Sequence, residues 1–387
     1  MYTEPLQRAT LRIESALNSI FSQRYNPFYY HGALPNFFIW VLFASGLLLF
    51  AYYQPTLATA YASVRFITFE LPFGNLFRSL HRYASDGMMI FVILHMLRVW
   101  FTDRYREYRI VPWLTGVVLL VITFIIGLSG YLMIWDQEAV ALAQITFNLL
   151  KSVPLVGGAL AEFLMAGRVV TDYTLTRFMV LHLGIPLLMM FMLWLHYMRI
   201  TRPVSEPPLP LILLMGGVLY LVSAAFPVTL NALPDAANAV ATPSLFGVAS
   251  LPSVINFDLL YAWPQALAVQ GLSPTIITLL VLAVPVGMLL LPYIQKKALR
   301  GQYAQVLKSN CTGCSLCYND CPYEAITMVD RVNDGSRFKR LAVVDAGRCA
   351  NCGLCVGACA FKAIEIPRRD SNAVLADIEA ALMTSAS

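Results

Sequence analysis

Apolar residues in this chain come in long unbroken blocks, without the alternation of strands or the one-sided stripe of a soluble helix. Six blocks approach or exceed the roughly 20 residues a helix needs to cross about 30 Å of hydrocarbon. They run Asn36–Tyr53, Leu80–Phe101, Pro112–Trp135, Phe178–Tyr197, Leu209–Val228 and Thr275–Ile294, and each predicts a membrane-spanning helix. Glu138–Leu150 and Gly157–Met165, separated by Pro154, are helix-compatible but too short to span, so they predict helices lying along the surface. Thr10–Phe21 predicts another surface helix ahead of the first span. The loop Thr229–Pro274 is rich in Pro, Ala and Asn, with a semi-apolar piece around Phe257–Leu267. Loops this long commonly cover a site or bind a partner.

Past Ile294 the pattern turns polar. Ala325–Asp330 and Leu341–Asp345 flank a polar turn at Asn333–Ser336 and predict a hairpin; Ala363–Ile366 echoes Ala325–Met328, and Asn372–Met383 is weakly helical. The predicted divisions are an amphipathic N-terminal segment (1–35), a helical bundle (36–205), two further spans with a long loop (206–294), a cysteine-rich domain (295–370) and a tail (371–387). The fold class is membrane all-α: a four-helix bundle plus two further transmembrane helices, followed by a small α+β domain.

Composition agrees. Of 387 residues 58% are hydrophobic and only 13% charged, with a mean hydropathy of +0.65. A formal net charge of +5, placed in short loops, fits topology control and argues against a nucleic-acid partner. No apolar core with a cleavage site occupies the first 35 residues, so no secretory signal is expected. Arg8, Arg12, Arg24, Arg98, Arg104, Arg106, Arg109, Arg199, Arg202, Lys296, Lys297 and Arg300 fall on one side; Arg65, Arg78, Lys151 and Arg168 fall on the other. The first side is expected to be cytoplasmic, with both termini, in a prokaryotic inner membrane.

Candidate chemistry starts with histidine. His81 and His95 lie fourteen residues apart on the second span, and His182 and His196 repeat that interval on the fourth. At about 1.5 Å per residue each pair shares a helix face roughly 21 Å apart. Because the second and fourth spans run the same way, His81 levels with His182 and His95 with His196. Two stacked pairs of facing imidazoles make a cage for two haem b groups. A single intramembrane histidine is more simply a hydrogen-bonding residue or proton relay; two equal pairs are not explained that way. His31 has no partner at matching spacing and reads as an interfacial residue.

All eight cysteines lie in the C-terminal region. Cys311, Cys314, Cys317 and Cys321, then Cys349, Cys352, Cys355 and Cys359, both show the C-x2-C-x2-C-x3-C spacing of 4Fe-4S ligands, in which the fourth cysteine of each run serves the other cluster. One cluster is expected on Cys311, Cys314, Cys317 and Cys359, the other on Cys349, Cys352, Cys355 and Cys321. Zinc sites usually space their pairs more widely, and disulfides are disfavoured on a reducing side.

The domain over roughly 305–368 resembles a two-cluster bacterial ferredoxin. Over roughly 28–294 the chain resembles the cytochrome b of cytochrome bc complexes, especially the plastid-type form with its small second subunit fused on. The matching stretches are YYQPTLATAYASV, FRSLHRYAS, GYLMIWDQ, SVPLVG and TLTRF. Gly32 and Gly46, then Gly116 and Gly130, repeat the fourteen-residue interval and by this resemblance face the haems. The resemblance also implies that Arg78 and Arg177 pair with propionates of the outer haem, and Arg98 with the inner one. Asp136, Gln137 and Asp258 are the quinone-site candidates. There are departures: INFDLLY (Ile255–Tyr261) stands where the family has Pro-Glu-Trp-Tyr, Ile134 replaces a proline, and Tyr30 takes the place of the cysteine that fixes a third haem, so no covalent haem is expected.

The implied function is electron transfer between cytoplasmic clusters, inner haem, outer haem and the quinone pool, with a soluble ferredoxin or flavoprotein as donor or acceptor. The alternatives are a redox anchor relaying electrons to a separate catalytic subunit, and a modified bc-type quinol oxidoreductase with a Rieske or c-type cytochrome partner. The family implies a dimer of the complex.

Overall fold

A computed structural model describes residues 25–101, 109–200, 204–233, 258–294, 303–321, 325–332, 335–346 and 353–366, with Tyr105, Cys349 and scattered positions between 6 and 21. The tail from 372 to 383, most of the 229–274 loop and Cys352 lie outside the described residues.

After a 3-10 turn at Pro27–Tyr29 come α1 (Leu34–Tyr52), α2 (Ala60–Phe69), α3 (Gly74–Phe101), α4 (Ile110–Ile134), α5 (Gln137–Lys151), α6 (Gly157–Met165), α7 (Asp172–Met198), α8 (Leu209–Ala225), α9 (Trp263–Val269) and α10 (Pro274–Ile294). Helices α1, α3, α4, α7 and α10 are long and apolar enough to cross a membrane, and α8 is a shorter apolar helix. Their outward side chains are large and apolar: Leu47 is 71% exposed and Leu187 68%. That surface belongs in lipid. Helix α8 stops at Ala225, short of the predicted Val228. Pro227 explains the stop, since the residue before a proline is pushed out of helical geometry. Helix α3 starts earlier than its apolar block because Asn75, Arg78 and Ser79 extend it on the polar side.

The bundle is two tight pairs, α1 with α3 and α4 with α7. Phe38, Ala84, Met88, Ile122, Met189 and Leu219 fill its middle. Toward the His81 end, Trp135, Leu142, Phe147, Met165, Leu175 and Phe178 form a second core that seats α5 and α6. Trp135 ends α4 in the left-handed region at φ 58°, and Asp136 then caps α5 by accepting from Ala139 N–H at 2.9 Å. Thr174 Oγ1 accepts from Thr171 N–H at 2.9 Å and donates to Met165 O at 2.6 Å, tying the start of α7 to the end of α6.

In the C-terminal domain β2 (Ile326–Asp330) pairs antiparallel with β3 (Arg340–Val344), in the register Ile326↔Val344 to Asp330↔Arg340. β1 (Gln305–Val306) pairs with β4 (Ile364–Glu365). Two single-turn helices, α11 (Leu316–Asn319) and α12 (Leu354–Gly357), follow cysteine-bearing loops. This domain has its own core of Ile326, Leu341, Ala342, Ile364 and Ile366 around the thiols.

Candidate functional site

His81 and His182 face each other with ring centroids 6.2 Å apart. Two metal–nitrogen bonds of about 2 Å and two ring radii of about 1 Å sum to roughly 6 Å, so one metal ion fits between them. Toward the other end of α3 and α7, His95 has His196 among its electrostatic neighbours.

Hydroxyl groups fix how these rings are protonated. Ser45 Oγ donates to Val41 O at 2.6 Å and lies 3.0 Å from His81 Nδ1. Ser129 Oγ donates to Ile126 O at 2.7 Å and lies 3.1 Å from His182 Nδ1. Thr115 Oγ1 donates to Val111 O at 3.0 Å and lies 2.8 Å from His196 Nδ1. A hydroxyl has one proton. With that proton given to a helix carbonyl, each oxygen can only accept from the ring, so Nδ1 carries the hydrogen and Nε2 keeps the lone pair a metal needs.

The glycines take their meaning from the same rings. A Cβ on Gly46 would lie 3.0 Å from His81 Cε1, one on Gly130 2.9 Å from His182, one on Gly32 3.0 Å from His95 and one on Gly116 3.5 Å from His196. Each glycine therefore abuts one imidazole, and the fourteen-residue interval of the glycines matches that of the histidines. Arg78, buried, donates to Val228 O and Thr229 O at 2.9 Å each. Arg98, also buried, lies 5.5 Å above Tyr29 and 5.6 Å above Phe28. Arg177 stacks on Phe163 at 4.8 Å.

Next to His81 sits a cluster that sequence reading met only at Asp258. Arg82 pairs with Asp86 one turn on and with Asp258 at 2.5 Å. Tyr131 donates to Asp258 Oδ2 at 2.6 Å, and Arg82 lies 4.7 Å over the Tyr131 ring. Tyr261, fully buried, donates to Ser85 O at 2.8 Å; burial pushes its phenol up from the ordinary value. Its ring takes space that a Cβ on Gly127 would enter, at 2.1 Å. The i,i+4 spacing of Arg82 and Asp86 beside a histidine was a signal available in the sequence. Asp136 and Gln137 do not join this cluster. Asp136 Oδ2 accepts from Asn231 N–H at 3.1 Å, and Gln137 Nε2 donates to Leu233 O at 3.3 Å.

In the C-terminal domain Cys311, Cys314, Cys317 and Cys359 line one cavity, so the last cysteine of the second run joins the first three of the other. Burial first, then the neighbouring Cys359, Cys311 and Cys314, push the Cys317 thiol up to about 11. Thiols crowded this way need positive charge before they ionise together. Cys321 Sγ accepts from Ala325 N–H at 3.4 Å and Cys359 Sγ from Ala363 N–H at 3.2 Å, equivalent turns after the two runs. Among the described residues no group of three or more His, Cys, Asp or Glu is gathered tightly enough for a single metal ion.

Fold and site together define an integral membrane protein with a histidine-bearing helical bundle and a small cysteine-rich domain. The family described as "Cytochrome b/b6/petB" matches residues 17–203, and a 4Fe-4S dicluster domain matches residues 310–363. Cytochrome b6 of Synechococcus elongatus is 38% identical over 185 residues, 48% of this chain and 86% of that protein. Cytochrome b6 of Gracilaria tenuistipitata var. liui is 37% identical over the same shares. The chain belongs to the cytochrome b/b6 family. A chain of a solved hyperthermophilic respiratory complex III shares the fold at TM-score 0.54 and 21% identity, covering 73% of this chain and 80% of that one. The cytochrome b domain implies haem b, and the dicluster domain implies iron–sulfur clusters.

Proposed function

We propose that the chain is a membrane electron-transfer subunit linking two cytoplasmic 4Fe-4S clusters, two b haems and the quinone pool. His81 with His182 holds the outer haem and His95 with His196 the inner one. Cys311, Cys314, Cys317 and Cys359 hold one cluster; Cys349, Cys352, Cys355 and Cys321 hold the other. Bound haem and cluster supply the one-electron chemistry, while the chain fixes their order and potential. The observation that carries this reading is the His81–His182 pair, with ring centroids 6.2 Å apart and each Nδ1 met by a serine hydroxyl, which leaves Nε2 for a metal. Glycines set against the imidazoles, and four cysteines lining one cavity, support it further.

Quinone is placed at the Arg82–Asp258–Tyr131 cluster. One cation, Arg82, faces two carboxylates there, Asp86 and Asp258. Asp258, held by Arg82 and Tyr131, is the group to meet a quinol hydroxyl beside the His81 haem. This favours a bc-type quinone site over a pure anchor. The basic side faces the cytoplasm, with a ferredoxin or flavoprotein as soluble partner. Further subunits, a Rieske or c-type cytochrome among them, complete a dimeric complex. Each electron passed between haems crosses the membrane field, worth about 2.3 kcal/mol per 100 mV.

Anaerobic redox titration of the purified complex, with optical and paramagnetic detection, tests the proposal. Two b-type haems and two cubane clusters are expected. A His182→Ala variant that kept both haem signals would overturn the pairing, and haems that do not respond to quinol would leave the chain an anchor.

A further inference from the structure

His31 occupies the place that a hydroxyl residue fills at the other three histidines. The residue just before each glycine is Ser45, Thr115 or Ser129 in three cases and His31 in the fourth. Each of the three hydroxyls meets Nδ1 of the histidine its glycine abuts. His31 does likewise, its Nδ1 3.2 Å from His95 Nδ1, and it is only 4% exposed.

The local backbone explains the substitution. His182 Nδ1 also lies 3.0 Å from Ile126 O, four residues before its glycine. Leu42 and Pro112 stand at the same offset and bond His81 and His196 through their backbones. Gly46, Gly116 and Gly130 lie within α-helices that present this carbonyl. Gly32 lies between the 3-10 turn Pro27–Tyr29 and Leu34, where α1 opens, so the residue four before it is in that turn and not in an α-helix.

We propose that His31 is the positioning residue of the inner haem: its Nδ1 accepts the Nδ1 hydrogen of His95, orienting that ligand and making it a stronger electron donor to iron. The inference rests on His95 being a haem ligand. An imidazole nitrogen is a more basic acceptor than a hydroxyl oxygen, and a stronger acceptor on the far side of a ligating histidine raises its basicity. A more basic ligand favours ferric over ferrous iron and lowers the potential. The tautomer is settled by the same hydrogen: with Nδ1 accepting, neutral His31 keeps its own proton on Nε2. Arg98 Nη1 stands 3.5 Å from that Nε2. Arg98 can only donate, so this 3.5 Å contact is the one given up when Nε2 carries the proton.

The test is a redox titration of the full chain as His31→Leu and His31→Asn. The inner haem is identified as the signal lost in His196→Ala; if no signal is lost there, the haem assignment itself fails and not this inference. In His31→Leu the inner haem moves about tenfold toward ferrous, which for one electron is about 59 mV upward, while the outer haem stays put. Asn, whose Oδ1 can accept from the same direction, restores the larger part of the shift. Loss of the inner haem with Leu but not with Asn supports the proposal equally. An inner-haem equilibrium within twofold of the parent in His31→Leu overturns the proposal. So does an equal shift of the outer haem, or identical behaviour of Leu and Asn.

Discussion

Gly130 and Gly116 share one face of α4, yet a methyl group at each meets different space. At Gly130 it would lie 2.9 Å from the His182 ring, closer than real side chains pack, and at Gly116 it would lie at an ordinary 3.5 Å from His196. Gly130→Ala must therefore displace the ring, and haem affinity at the His81–His182 pair should fall about tenfold or more, the scale of losing a ligand's support. Gly116→Ala should weaken its haem less than Gly130→Ala does, since the His196 ring need not move. Haem spectra of the two purified variants, taken per mole of chain, separate the outcomes. At Asp258, Asn keeps the shape but removes the charge shared with Arg82 and Tyr131. Quinol-dependent haem reduction should drop about 100-fold or more at unchanged haem content, as expected when a general base is lost. The four histidines could be read from the sequence because a fourteen-residue repeat is visible in one dimension. Ser45, Thr115 and Ser129 were missed, although each sits beside a recognised glycine, because a polar residue on an apolar helix reads first as a bond to its own backbone; His31 was read as interfacial because no second histidine matches its spacing. Arg82, Asp86 and Tyr131 were missed because Asp258, which gathers them, arrives from a loop more than a hundred residues away.

Spans were legible wherever a helix is apolar on every side, since lipid asks for nothing subtler. Helix α2 was not, although Ala60, Ser63, Val64, Ile67 and Thr68 bury one face at helical spacing. A ten-residue amphipathic helix is invisible to a search for twenty apolar residues. Surface helices α5 and α6 came out at nearly their predicted limits, because Asp136 and Pro154 punctuate them. How α6 is fastened to α7 is a tertiary matter, resting on Thr174, a fully buried side chain that accepts from Thr171 and donates to Met165. Thr174→Val keeps the volume and strands both partners. The cost should be about 1–3 kcal/mol, seen as earlier thermal loss of the Soret band in detergent. Equal melting of parent and variant would mean that the junction carries no load.

The core around the thiols is separate from the cores of the helical part, so the molecule is a pair of modules joined by one chain. The C-x2-C-x2-C-x3-C spacing of each run carries the expectation that its fourth thiol serves the other cluster. The cavity that gathers Cys359 with Cys311, Cys314 and Cys317 turns this into a measurable asymmetry. Cys359→Ser should perturb the same paramagnetic signal as Cys317→Ser and leave that of Cys321→Ser alone, although Cys359 is nearer in sequence to the other run. Acid should act on the whole domain in one direction. The Cys317 thiol, raised to about 11 without iron, ionises only with metal present, so binding releases protons and falling pH favours release of the cluster. A chain ending after Ile294 loses every cysteine and none of the haem-ligand candidates. It should keep both haem spectra and potentials and lose only reduction by a soluble low-potential donor. If that truncated chain still accepted electrons from such a donor at the parent rate, the clusters would not lie on the path to the haems.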